Sequence, residues 1–198
     1  VGGYGVQITE ASTRSSVQGT VPLTQAMIDA GEQLTFSEGG RTLTFETKAG
    51  ESVETTLNRL DKAIIHSGME IEVVRTPGSA ANQYAPQLLR FRHKEYGSEH
   101  SFQVASNTAG GLSSRRDTPD TIKYGVDVSG FIGGELGLGR GQILTGSVPT
   151  KVSGLKIRYT GEYAPPPGTY AGSVTLSQNS LVFHVGPNPE QSTSFSLR

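Results

Sequence analysis

The chain has 198 residues, enough to bury a core as one β-rich domain or as two small ones. Its formal net charge is −1, with both signs spread along the chain, which gives no electrostatic footprint for nucleic acid or an anionic membrane surface. No apolar run reaches the roughly 18 residues of a membrane span, and without cysteine there is no disulfide frame, thiolate metal site or Cys nucleophile.

Glycine supplies 26 residues, about twice the usual share, and Ser and Thr fill the gaps between short apolar runs, so strands and turns are favoured over long helices. The absence of cysteine suits a cytosolic domain, and it equally suits an extracellular protein exported unfolded through a narrow channel. Composition does not choose between them. The chain opens Val1-Gly2-Gly3-Tyr4 with no charged-then-apolar leader, and it reads as a piece of a longer polypeptide.

In chain order, Val6 to Val17 alternates loosely with β-branched residues and predicts one or two strands. Leu34–Phe36 and Leu43–Phe45 are both L-T-F triplets, and the Gly39-Gly40 pair between them predicts a hairpin. Val53, Leu57, Leu60 and Ile64 recur at i, i+4, i+7 and i+11, the spacing of one helix face. Ser52 can cap the start of that helix through its hydroxyl, and Gly68 can end it in the left-handed conformation. Strands are expected at Met69–Val74, Leu88–Arg92 and Ser101–Val104, with a polar turn over Glu95–Ser98. Asn107–Asp120, rich in Gly, Ser, Thr and charge, reads as an exposed connection. Beyond it the expectation is all strand and turn: Ile122–Val128, Gln142–Leu144, Leu155–Tyr159, Ser173–Leu176, Leu181–Val185 and Ser194–Leu197. Pro165-Pro166-Pro167 enforces a stiff extended segment within this part.

Motifs that would carry chemistry are weak. Gly134–Gly141 reads G-E-L-G-L-G-R-G, but a phosphate loop needs Lys and then Ser or Thr where Arg140 and Gly141 stand. A Gly-rich turn between strands is the better reading. Of His66, His93, His100 and His184, no pair has the i, i+4 spacing of a helical zinc site. His93, Glu95, Glu99 and His100 lie close in sequence, where a solvated turn outweighs a metal site. Asp29 with Glu32, or Asp117 with Asp120, could pair for sugar hydrolysis, yet there is no Trp to stack on a sugar and no G-x-S-x-G elbow. The densest basic features are Arg115-Arg116 and the Arg90, Arg92, Lys94 stripe, which suit a solvated sheet face better than an acidic partner. No residue is assigned as catalytic, cofactor-binding or metal-binding.

From Leu43 to Ser106 the sequence resembles the flagellin hook IN motif of flagellins, flagellar cap proteins and other hook-associated proteins. The residues that carry it are L-T-F-E-T-K-A-G-E-S-V-E-T-T-L-N-R-L-D-K-A-I and L-L-R-F-R-H-K-E-Y-G-S-E-H-S-F-Q-V-A-S, with Ile65 where the family has Asn. Three later phrases, G-V-D-V-S-G-F-I-G-G-E, G-R-G-Q-I-L-T-G and G-L-K-I-R-Y-T-G, resemble the run that follows this motif in the same proteins. Val6–Arg14 resembles the strand that precedes it, and Leu181–Thr193 resembles a flagellin segment that cap proteins usually lack.

The resemblance implies an α+β, mostly β fold of two small units, one with a single helix packed on a sheet. Residues 32–118 would form the flagellin hook IN-like unit, and 1–31 with 119–198 a β-rich unit built from both ends. It implies a non-catalytic outer domain pair of flagellin on the filament surface, with the flagellar cap protein as the alternative and a stand-alone sugar-binding β module as a third reading. It further implies type III export to an extracellular flagellum, and assembly with other flagellin subunits through terminal helices outside this sequence. The sequence alone is expected to be monomeric and to need no cofactor, with host-surface or glycan contacts as candidate interactions.

Overall fold

A computed structural model describes residues 3–75, 86–175, 180–184 and 192–196. It is mostly β with two helices, an α+β arrangement of antiparallel sheets. The Val6–Val17 stretch divides into β1 (Gly3–Glu10) and β2 (Ser16–Gln18). The short helix α1 (Gln25–Asp29) follows, its start capped by Thr24 Oγ1, which accepts from the Met27 N–H at 3.3 Å. At five residues α1 is too short to show an apolar period, which is why the sequence reading sees only one helix.

The paired L-T-F triplets become β3 (Gln33–Glu38) and β4 (Arg41–Glu46), joined by Gly39 and Gly40. Both glycines have positive φ, 53° and 80°, as a two-residue turn matched to strand twist requires. Helix α2 (Val53–Ser67) runs between the expected caps. Ser52 Oγ accepts from the Thr55 N–H at 3.2 Å, and Gly68 sits at φ 71°. Val53, Leu57, Leu60 and Ile64 are all buried on one face, against β4 and β5. Arg59 fixes the outer side. Its guanidinium lies 4.3 Å from the Phe45 ring centroid and donates to Glu51 at 2.9 Å and to the Glu46 carbonyl at 2.8 Å.

Three more strands complete this region: β5 (Ile71–Val73), β6 (Arg90–His93) and β7 (Gln103–Ser106). They form two three-stranded antiparallel sheets, in the orders β4-β3-β7 and β2-β6-β5. Phe36 of one and Phe91 of the other meet edge to face, with centroids 4.9 Å apart. The shared core also takes Leu23, Ile28 and Leu112. Leu112 is a departure: with Gly111 and Ser113 it is buried, so only the later part of the Asn107–Asp120 connection is exposed throughout. Its apolar side chain is drawn into the core while Ser113 Oγ accepts from the Ser106 N–H at 3.1 Å.

The second core lies under a six-stranded sheet ordered β11-β10-β9-β8-β1-β12. Its strands beyond β1 are β8 (Ser129–Ile132), β9 (Glu135–Arg140), β10 (Ile143–Gly146), β11 (Lys156–Arg158) and β12 (Gly172–Thr175). Val6, Ile8, Val128, Ile132, Leu144 and Val152 are its buried members. Two expectations change here. The strand expected at Ile122–Val128 starts only at Ser129, and before it Val126 alone bridges to Thr13. The Gly-rich run 134–141 is not a turn: its residues 135–140 form β9, paired on both sides. Finally β13 (Ser180–His184) and β14 (Ser192–Ser196) make a separate hairpin. Residues 185–191 of the closing flagellin-like phrase lie outside the described residues, as do Leu176 and Leu197, the ends of two expected strands. No helix among the described residues is long and apolar enough to cross a membrane.

Leu60, 1% exposed at the centre of the α2 face, tests this packing. Leu60→Ala should cost about 2–5 kcal/mol in chemical denaturation, whereas Lys62→Ala, on the exposed side of the same helix, should stay within about 0.5 kcal/mol.

Candidate functional site

The two cores meet where three segments cross. Thr13 and Val126 exchange backbone bonds, N–H to O, of 2.9 and 3.2 Å, and the Gly97 N–H donates to the same Thr13 carbonyl at 3.0 Å. A Cβ on Gly125 would stand 2.4 Å from the Gly97 carbonyl oxygen and 2.6 Å from that of Thr13, so only glycine lets the chains pass. Gly97 is doubly constrained, by a φ of 108° and by the Asp127 carboxylate, which a Cβ would approach to 2.5 Å.

Asp127 closes the crossing. Its Oδ1 accepts from the Gly141 N–H at 2.7 Å and from the Ser98 N–H at 3.2 Å, and its Oδ2 accepts from the Ser98 hydroxyl at 2.5 Å. One carboxylate therefore ties the Glu95–Ser98 turn of the first core to the β9–β10 turn of the second. Burial pushes this carboxyl up, but the bonds from the Ser98 hydroxyl, Gly141 and the Ser98 backbone, with the charge of Arg140, outweigh it and hold it below the ordinary value. Arg140 reinforces the crossing by donating to Glu99 at 2.7 Å, an exposed pair worth little alone. On the other side the Arg14 guanidinium lies 4.4 Å from the centroid of the Tyr96 ring and donates to Glu72 at 2.9 Å, and Arg92 donates to that same carboxylate.

Beside the crossing lies an open cleft of about 370 Å³, lined among others by Tyr96, His100, Asp127, Arg140, Ile143 and Arg158. Asp127 already accepts three donors and Glu99 is paired, so what these groups do is hold the turns together. Among the described residues no group of three His, Cys, Asp or Glu side chains is placed to hold a metal ion.

The structure scatters the candidates from the sequence. His93 is buried: its Nδ1 accepts from the Glu95 N–H at 2.9 Å, so Nε2 carries the proton and donates to Glu38 Oε1 at 2.7 Å. His100 stacks on it with centroids 5.0 Å apart. His66 Nδ1 is 2.6 Å from the Lys62 carbonyl, within its own helix, and the His184 side chain lies outside the description. The carboxylates imagined as pairs tie loops instead. Asp29 accepts from the Gly50 N–H at 2.9 Å, and buried Glu32 accepts from the Thr108 N–H and hydroxyl. Asp120 accepts from Ser114, whose hydroxyl is the main reason its carboxyl sits below the ordinary value, while Asp117 stands 3.8 Å from Arg116. Of the basic stripe, Arg92 pairs with Glu72 and Lys94 with Glu70, the latter at 3.3 Å, and Arg90 is exposed. Sequence reasoning missed Asp127. Its only local feature in the sequence is a lone carboxylate between Val126 and Val128, two residues after Gly125, which does not by itself mark a site.

Neither a family model nor a curated protein sequence matches the chain. Solved structures do. The flagellar cap protein FliD D2-D3 domains from Serratia marcescens superpose with a TM-score of 0.56 at 12% identity, covering 88% of this chain and 93% of that one. FliD from Pseudomonas aeruginosa PAO1 gives 0.54 at 14%, covering 90% and 80%. The chain spans 46% of the longer D1-D2-D3 chain of the Escherichia coli cap protein, at a TM-score of 0.47 and 12% identity. At these identities the likeness is one of fold.

Removing the carboxylate should loosen the crossing. Asp127→Ala should cost about 1.5–3 kcal/mol near neutral pH, the scale of hydrogen bonds to a charged acceptor. Because the folded carboxyl titrates below its unfolded value, this contribution is present in full above the ordinary 3.8 and is lost as pH falls through the folded value. Denaturation midpoints of parent and variant should therefore converge as the solution is acidified.

Proposed function

We propose that the chain is the outer, non-catalytic part of a flagellar cap-type protein, exposed outside the cell at the filament tip. The observation that supports this best is the likeness to cap-protein folds over nearly nine-tenths of the chain, with TM-scores of 0.56 and 0.54. Sequence adds an independent strand of support, because the flagellar phrases occur in family order. Residues 125–134, which carry the phrase G-V-D-V-S-G-F-I-G-G, supply the glycine and carboxylate that join the two cores. A phrase needed for a crossing of this kind is what a shared architecture would retain.

The resemblance placed flagellin first and the cap protein second. The solved structures reported above are cap proteins, and they favour the reverse order. In this reading the two units divide by core. The first takes β2, α1 and the elements from β3 to β7, and the second takes β1 and the elements from β8 to β12. Residues 16–31 therefore go with the α+β unit rather than with the chain end that precedes them.

Immunogold electron microscopy of the source cells with antibodies against this chain tests the reading. Label confined to filament tips is expected. Label along whole filaments would return the answer to flagellin, and unlabelled flagella would reject both.

A further inference from the structure

In a strand with one face on a core, the apolar side chains point inward and the polar ones outward. Strand β9 does the reverse. Gly137 and Gly139 take the inner positions, opposite Gly146 and Leu144 of β10, and there is no room for more. A Cβ on Gly139 would lie 1.7 Å from the Val128 carbonyl oxygen, and one on Gly137 would lie 2.6 Å from Leu144. Packing thus accounts for the glycines. It does not account for Leu136 and Leu138, which stand outward at 61% and 72% exposure, where any polar residue would serve the fold as well.

Neighbouring strands add to this face. Phe131 of β8 pairs with Leu136, Thr145 of β10 pairs with Leu138, and exposed Ile143 of β10, paired with Arg140, lies two register pairs beyond Leu138 on the same face. Along the side of this apolar strip runs β11, whose Lys156 and Arg158 register with Thr145 and Ile143 and so share the face. Both are exposed, and neither has an ion-pair partner among the described residues. No position that the register assigns to this face on β8, β9, β10 or β11 is acidic. Ile143 and Arg158 also line the 370 Å³ cleft at the crossing, where Glu95, Glu99 and Asp127 stand, so the cationic part of the face is the side of Lys156 and Arg158 away from those carboxylates.

We propose that this face is a docking surface for an extended acidic segment of a partner protein, with apolar side chains on the leucines and carboxylates toward Lys156 and Arg158. Charge decides the occupant. A chain of net charge −1 places two cations, without ion-pair partners among the described residues, on the sheet face that carries exposed Leu136 and Leu138, a pleated face that suits an extended peptide with apolar and acidic residues in alternation. The inference stands apart from the flagellar reading, since it uses only the surface.

Fluorescence anisotropy on the full chain with three labelled peptides, alternating Glu-Leu, Lys-Leu and Glu-Ser, tests it. Saturable binding is expected for Glu-Leu alone. It should weaken by about tenfold or more in Leu136→Ser/Leu138→Ser and again in Lys156→Glu/Arg158→Glu, and the charge-reversed variant should gain binding to Lys-Leu. Thermal melting of both variants should match the parent, because these side chains face solvent. No saturable Glu-Leu binding, or binding unchanged in both variants, would overturn the proposal. So would self-association in sedimentation that the leucine variant abolishes, which assigns the face to a second copy. Binding to phosphatidylserine vesicles lost in both variants, without peptide binding, would assign it to a membrane and overturn it equally.

Discussion

Asp127 accepts three hydrogen bonds at a crossing too tight for any side chain at Gly97 or Gly125, and the relation between the two cores rests on that arrangement. Each core is conventional in its own terms. One buries an amphipathic helix against two small sheets, and the other closes the inner face of a six-stranded sheet. What makes one molecule of them is backbone contact at the crossing, where Thr13, Gly97 and Val126 share bonds. Backbone approach of this kind is less tolerant than side-chain packing, because a peptide group cannot change rotamer to make room. The carboxylate adds direction, since it draws the Ser98 and Gly141 turns toward one point.

The same residues explain what could be read from sequence. Helix α2 was legible because three local signals agreed: the apolar period, the Ser52 cap and the Gly68 stop. The β3–β4 hairpin was legible for the same reason, with alternation on both sides of a Gly-Gly turn. Strand β9 was not. Its inward glycines and outward leucines invert the usual pattern, so the run looks like a loop until Val128 and Leu144 are seen filling the space beneath. Leu112 was hidden similarly, as one apolar residue inside a polar segment that tertiary contacts alone draw into the core. Asp127 was unreadable as a site because its partners lie 29 and 14 residues away and two of its three bonds come from backbone N–H groups, which carry no sequence signature.

Fold and function part company at the surface. The likeness to cap-protein domains holds over most of the chain at 12–14% identity, so the architecture persists while nearly every side chain differs. Residues fixed by steric demand, such as Gly97 and Gly125, belong to the architecture. Outward Leu136 and Leu138 of β9, with Lys156 and Arg158 of β11, answer to no demand of the fold and are where this chain is free to acquire its own contacts. The buried His93–Glu38 pair belongs with the first kind: its two side chains are almost fully enclosed, and the other Glu38 oxygen accepts from the Glu70 N–H at 2.9 Å. It fixes the β3–β4 hairpin to the ends of β5 and β6.

The chain has no cysteine of its own, so single cysteines introduced at Lys62 on α2 and Lys151 beside the second core can carry a pair of spin labels without background. Double electron–electron resonance between them measures the relation of the two cores directly. A crossing held by Asp127 predicts one narrow distance distribution in the parent that broadens in Asp127→Ala. A distribution already broad in the parent, or one that Asp127→Ala leaves narrow, would contradict it.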